Sequence, residues 1–227
     1  MNIQIAIDGP SGAGKSTVAK ALAKKLGIIY VDTGALYRTV GYYVRQKNTD
    51  PSDAPAVGKL LPEIHLEIRY ENGVQEVYLN GEPMGNRIRT PEMSMYASAV
   101  SALPAVRTFL LNTQREIAEK NGVVMDGRDI GTVILPNANV KIFLTASETC
   151  RAERRYLELQ QKGIQTTLEE VLSDMRRRDR NDSTRAVAPA VAAKDATVVD
   201  STGMQVEECV EKVAAIVAEK TGVVCGK

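Results

Sequence analysis

The chain has 227 residues, a length that suits one compact core with an insertion or a mobile flap, and 44% are hydrophobic and 25% charged, the proportions of an ordinary globular protein. Lys plus Arg number 29 against 28 Asp plus Glu; a formal charge of +1 argues against a dedicated nucleic-acid binder but leaves room for a local arginine cluster around an anion. No run of ~20 apolar residues is present for a membrane span. The first residues lack the charged-then-apolar pattern of a secretory signal. Cys150, Cys209 and Cys225 are too scattered for a zinc site or a disulfide framework, so the expectation is a cytoplasmic protein.

In chain order, residues 3–8 read as a strand. A helix over 16–26 follows, with Val18, Leu22 and Leu26 at fourfold spacing and Gly27 as its stop. A second strand covers 28–31. Residues 50–62, with three prolines, read as a linker. From 63 to 79 the period switches to two, through Ile64, Leu66, Ile68, Tyr70, Val77 and Leu79, with Asn72-Gly73 and Asn80-Gly81 as turns. That pattern predicts an antiparallel insert. His65, the one histidine, alternates with apolar residues there and reads as a solvent-face residue, not a catalyst. Thr90-Pro91-Glu92 starts a helix with a cap and a first-turn proline. Strands are expected over 123–126, 140–144 and 196–199, each short and apolar as in a parallel sheet covered on both faces. Thr167-Leu168-Glu169-Glu170 fits a capping box, and the last helix covers 205–220 with Val206, Val210, Val213 and Val217 on one face.

Gly9-Pro10-Ser11-Gly12-Ala13-Gly14-Lys15-Ser16 matches GxxxxGK[ST] directly after a strand and at the start of a helix. In such a loop, backbone N–H groups and the helix dipole face phosphate oxygens. Lys15 then reaches the β- and γ-phosphates and the Ser16 hydroxyl ligates Mg²⁺. No Asn-Lys-x-Asp element for reading guanine is present. Asp126-Gly127-Arg128-Asp129 ends a central strand, where ligands of open α/β sheets bind. Asp126 suits the Mg²⁺ shell, Arg128 a phosphate, and Asp129 a base amino group or a ribose hydroxyl. The run from Arg176 to Arg185 holds five arginines in ten residues, more than a helix dipole needs and well shaped for phosphate. Asp32-Thr33-Gly34-Ala35-Leu36-Tyr37-Arg38 adds a hydroxyl, a ring and another arginine. Two anion-binding sets point to phosphoryl transfer between two phosphorylated ligands. The rivals are a small P-loop kinase with another acceptor and a sensor that binds ATP without turnover. RNA binding through the arginines is disfavoured by 4% aromatics and no Trp.

Together these residues resemble the bacterial cytidylate kinases, which are nucleoside-monophosphate kinases. The resemblance covers almost the whole chain: the P-loop with its preceding Ile-Ala-Ile-Asp, then residues 32–38, 90–107, 126–132 and 178–189. It implies an α/β, P-loop NTPase-type three-layer fold with a parallel central sheet. Residues 1–34 and 122–227 would form the kinase core, with a short lid at about 154–166. Residues 35–121 would form the monophosphate-binding domain, with its β-hairpin insert at about 62–85. It implies transfer of the γ-phosphoryl group of ATP to CMP or dCMP, with Mg²⁺, by a monomer that needs no nucleic-acid or membrane partner. Gly9, Pro10, Ser11, Gly12, Ala13, Gly14, Lys15, Ser16 and Thr17 would bind ATP. Ser16 would hold the metal directly and Asp126 through water. Arg38, Arg128 and Arg185 would bind the acceptor phosphate, and Ser98, Arg107 and Asp129 the cytosine edge. Arg178 and Asp182 would contact the sugar, with Thr33 and Tyr37 lining the pocket. Lys15, Arg128, Asp129 and Arg185 would carry catalysis. Arg154 and Arg155 are lid-phosphate candidates, with a solvated helix face as the alternative. Thr33 stands where serine is common and Ala190 where leucine is usual, and neither change touches the activity.

Overall fold

The computed structural model describes residues 3–71 and 74–223. Its centre is a parallel sheet of β1 (Gln4–Asp8), β2 (Ile29–Asp32), β6 (Val123–Gly127), β7 (Val140–Thr145) and β8 (Thr197–Asp200), in the order β2-β6-β1-β7-β8. The strands are apolar on consecutive positions because both faces are covered. Ile5, Ile7 and Val124 point to the layer containing Leu22 of helix α1 (Lys15–Leu26) and Val213 of helix α8 (Val206–Thr221). Ala6, Val31 and Met125 point to the other layer, with Ile130 and Ile134 of a π-helical turn and Ala118 of helix α5 (Pro104–Lys120). Leu22 and Val213 are fully buried; each such side chain contributes about 2 kcal/mol of transfer free energy.

Register sets the site. Asp8 lies opposite Gly127, and Asp32 opposite Asp126, so the carboxyl ends of β1, β2 and β6 open at one edge. The loop after β1 passes tight against β7. Gly9 has φ +146°, and a Cβ there would sit 1.9 Å from the Leu144 carbonyl oxygen. Only glycine allows that approach.

The segment between β2 and β6 forms a second cluster. Helix α2 (Thr33–Gln46) packs its Leu36, Val40 and Val44 against Val77 and Leu79 of a three-stranded antiparallel sheet. That sheet contains β3 (Leu66–Glu71), β4 (Val74–Leu79) and β5 (Glu82–Pro83). The expected insert is therefore present, with one more short strand than the period-two pattern predicts. Asn80 (φ 50°) and Gly81 (φ 86°) both take positive φ between the paired Leu79 and Glu82, as a type I′ turn requires. The Asn72-Gly73 turn lies outside the described residues, as does Cys225. His65 is exposed just ahead of β3, its N–H donating to Asn80 Oδ1 at 2.8 Å.

Two expectations need correction. The proline-rich stretch 50–62 is no plain linker, since it contains helix α3 (Ala54–Leu60). Asp53 caps it by accepting from Ala56 N, and Pro55 sits in the first turn, where its missing N–H costs nothing. The stretch 154–166 is not a connection between helices along its length. Helix α6 (Glu148–Gln161) runs through its first half, and only residues 162–167 join it to helix α7 (Leu168–Thr184). The predicted starts are observed: Thr167 and Glu170 form the capping box of α7, and Thr90 accepts from Met93 N at helix α4 (Pro91–Ser101). Among the described residues, no helix is long and apolar enough to cross a membrane.

Gly9→Ala combines backbone strain with a clash against a fixed carbonyl. The expected loss is about 3 kcal/mol, read as a melting midpoint roughly 10 °C lower. A midpoint equal to wild type would show that the loop relaxes away from β7.

Candidate active site

The loop 9–14 brings the chain from β1 into α1. Gly14, the N-cap residue, offers no side-chain cap, so the first-turn N–H groups of α1 remain available for an anion. The Lys15 side chain is buried and folds back over the loop, its Nζ donating to the Pro10 carbonyl at 2.8 Å. Ser16 Oγ donates to Asp126 Oδ2 at 2.9 Å and Tyr30 OH to Asp126 Oδ1 at 2.8 Å. Thr33 Oγ1 donates to the Asp126 carbonyl at 2.9 Å. Burial, reinforced by Arg128, pushes Lys15 down to about 7. Burial, reinforced by Asp32, pushes Asp126 up.

The outer turn of the loop is clamped from α6 and α7. Ser11 N–H donates to Asp179 Oδ1 at 3.1 Å, and Arg151 Nη1 donates to the Ser11 carbonyl at 2.8 Å and to Asp179 Oδ2 at 2.5 Å. Arg178 Nη1 lies 3.4 Å from Ser11 Oγ. Sequence reasoning assigned no role to Arg151 or Asp179. Asp179 sits inside the arginine run, and its spacing of four residues from Met175 and three from Asp182, both on the inward face, is the signal the sequence carries.

Facing the loop is a network of arginines and aspartates. Asp182 accepts from Ser98 Oγ at 2.9 Å and from Arg128 Nε at 3.1 Å, with Arg178 Nε at 3.9 Å. Asp129 pairs with Arg107 and, at 3.4 Å, with Arg185. Arg107 also donates to the Ser101 carbonyl at 3.0 Å and stands 5.7 Å from the centre of the Tyr37 ring. Arg185 also reaches Ser101 Oγ at 2.9 Å and the Ala188 carbonyl at 2.6 Å. Ser98, Tyr37, Arg107, Arg128, Asp129, Arg178, Asp182 and Arg185 are thus brought together. Arg38 donates to Asp32 Oδ2 at 2.8 Å, an oxygen that also lies 4.0 Å from Arg89 Nη1. Buried Nε atoms of Arg38 and Arg178 have no hydrogen-bond partner among the described residues, which suits a cleft that receives anions. Burial and the neighbouring Arg128 push Arg178 down to about 10. Burial would raise Asp182, but Arg128 and Arg178 outweigh it and hold that carboxyl low.

The arginine run divides by helix face. Arg176, Arg177 and Arg180 are exposed, two of them paired with Glu148 and Asp174. Arg154 approaches the phosphate loop through Ser201, whose Oγ accepts from Arg154 Nη1 at 3.1 Å and lies 3.4 Å from the Ala13 carbonyl oxygen. Arg154 donates to the Ser201 carbonyl at 2.8 Å, and Arg155 pairs with Glu158 on its own helix.

Asp8, also unassigned from sequence, holds the segment bearing Arg128 and Asp129. Its carboxylate accepts from Ile130 N and Gly131 N, each at 2.8 Å. Burial, the largest effect, pushes it up to about 6 despite those bonds. Because the folded state holds this proton more tightly than the unfolded chain, the Asp8 contribution to stability falls as pH rises from about 4 to about 6. Asp8→Asn removes that dependence. Over this window, wild type is expected to lose on the order of 2–3 kcal/mol relative to the variant, measured by urea unfolding at each pH. Parallel pH profiles would contradict the assignment.

The family profile described as Cytidylate kinase matches residues 5–219. The cytidylate kinase of Thermosipho melanesiensis is 51% identical over 220 residues, covering 97% of this chain and 99% of that one. That of Lactiplantibacillus plantarum is 48% identical, covering 96% of each. A solved structure of an uncharacterised protein from Eubacterium ventriosum shares the fold, with a TM-score of 0.53 at 14% identity over 95% of this chain and 98% of that one. The cleft geometry is compatible with several P-loop kinases; the near end-to-end match distinguishes among them, and the chain belongs to the cytidylate kinase family.

Proposed function

We propose that the protein transfers the γ-phosphoryl group of ATP to CMP or dCMP, giving ADP and CDP or dCDP. The observation that carries this reading is the meeting of two anion-binding halves. Arg178 Nη1 lies 3.4 Å from Ser11 Oγ of the phosphate loop, while its Nε faces the Asp182 carboxylate that also holds Arg128. One phosphate needs only one such half; a donor and an acceptor need both.

Residues 9–17 hold the ATP phosphates, with Lys15 on the transferred group. Arg38, Arg128 and Arg185 take the acceptor phosphate. Ser98, Arg107 and Asp129 read the cytosine edge, Arg178 and Asp182 the sugar, and Thr33 and Tyr37 line the pocket. Before nucleotide binds, these arginines rest on aspartates. The acceptor phosphate then replaces carboxylates as their partner, so the cationic groups stay oriented. The acceptor is itself an ionised phosphate, so no general base is required, in keeping with the exposed position of His65. Catalysis is positioning plus charge neutralisation.

Mg²⁺ fits the donor side. Ser16 Oγ and Asp126 Oδ2 lie 2.9 Å apart, two hard oxygen donors beside the loop. A Mg²⁺ ion bound chiefly by phosphates and water needs no larger protein set. When bound, it neutralises charge on the β- and γ-oxygens. In this reading residues 35–121 form the acceptor domain, and residues 154–166, the end of α6 with most of the connection after it, form the short lid over ATP.

The test is ADP release with ATP and Mg²⁺ against CMP, dCMP, UMP, AMP, GMP and no acceptor. CMP and dCMP should exceed the others. AMP or GMP as best acceptor would overturn the base assignment. Lys15→Ala should lower kcat by at least ~100-fold with little change in melting midpoint. Asp129→Asn turns one acceptor atom into a donor and should narrow the preference for CMP over UMP by roughly 10-fold or more. An unchanged ratio would remove Asp129 from base reading.

A further inference from the structure

Strand β4 carries one residue that its burial pattern does not explain. Gln75, Val77 and Leu79 all point to the buried face, and Gln75 is only 8% exposed. A buried amide requires hydrogen-bond partners. Both partners lie on one residue of the other sheet: Asp32 N–H donates to Gln75 Oε1 at 2.8 Å, and Gln75 Nε2 donates to the Asp32 carbonyl at 3.3 Å. Strand β2 is at the edge of the parallel sheet, paired with β6 alone. The Gln75 amide supplies the acceptor and the donor that a further strand would have offered to this peptide.

The peptide so fixed is the one that sets Arg38. Asp32 Oδ1 accepts from Ala35 N at 2.9 Å and starts helix α2, while Oδ2 accepts from Arg38 Nη2 at 2.8 Å. The space is narrow: a Cβ on Gly34 would stand 2.9 Å from Arg38 Nη1 and 3.2 Å from Asp32 Oδ1. A small rotation of the Asp32 peptide therefore moves the carboxylate and the guanidinium together. We infer that Gln75 is a positioning residue for the acceptor phosphate, acting from the inserted sheet through Asp32 on Arg38. The inference rests on the reading of Arg38 as an acceptor-phosphate ligand.

The test is Gln75→Met, which keeps side-chain length and removes both hydrogen bonds, with Gln75→Asn, too short to bridge the peptide, as a second variant if the first does not fold. Steady-state kinetics should show KM for CMP raised roughly 10-fold, with KM for ATP changed less than about twofold. In an Arg38→Ala background the same substitution should add less than about twofold to KM for CMP, because both changes act on one interaction. Unchanged KM for CMP in Gln75→Met, beside a raised one in Arg38→Ala, overturns the inference alone. Equal rises in both KM values, or full additivity with Arg38→Ala, also overturn it, because they indicate general loosening. An Arg38→Ala variant with unchanged KM for CMP overturns the reading of Arg38 and the inference built on it.

Discussion

Carboxylates keep the cationic side chains of the cleft buried and aimed. A guanidinium removed from water carries a penalty of several kcal/mol unless an anion is close. Asp32 supplies one for Arg38, Asp129 for Arg107 and Arg185, Asp182 for Arg128 and Arg178, and Asp179 for Arg151. Arg89 also lies 4.0 Å from Asp32, so three of these aspartates each face two arginines and the pairing leaves positive charge in excess. The excess is local, since the whole chain is close to neutral. It gives the cleft its attraction for phosphate without making the protein a general polyanion binder.

The fold determines where those pairs form. Parallel strands with helical crossovers end at a common edge, and the phosphate loop follows the central strand there. Asp8, the last residue of β1, reaches sideways to the turn after β6 and fixes the segment carrying Arg128 and Asp129. Helix α7 touches both halves. Its Asp179 holds the Ser11 N–H of the loop, and its Asp182, one turn on, holds Ser98 and Arg128. The contacts of α7 to the phosphate loop and to the Ser98–Arg128 cluster are therefore spaced by about one helical turn of about 5 Å.

The inserted sheet is bound into the same arrangement. Its apolar face packs on α2, and its buried Gln75 amide meets the edge strand at Asp32. Packing against α2 gives this unit stability; the amide contact gives it a defined register against the core.

Local chemistry in the sequence determined the elements and the phosphate loop. Hydrophobic period, the caps at Thr90 and Thr167 and the GxxxxGK[ST] spacing are short-range signals that act over one or two helical turns. The proposed acceptor residues were legible because the chain resembles a known family, with Arg178 and Asp182 about one turn apart on α7 and Arg185 just past its end. Helix α3 within the stretch 50–62 was not legible because proline breaks a helix interior but suits its first turn, and composition alone does not distinguish the two. Only the tertiary structure decided the partners of Asp8, Gln75, Arg151 and Asp179. Each bonds a backbone group far along the chain, up to 168 residues away for Asp179 and Ser11. Backbone N–H and C=O groups are chemically alike at every residue, so no side-chain pattern names the peptide that a buried amide or carboxylate will meet; strand order and helix packing select it.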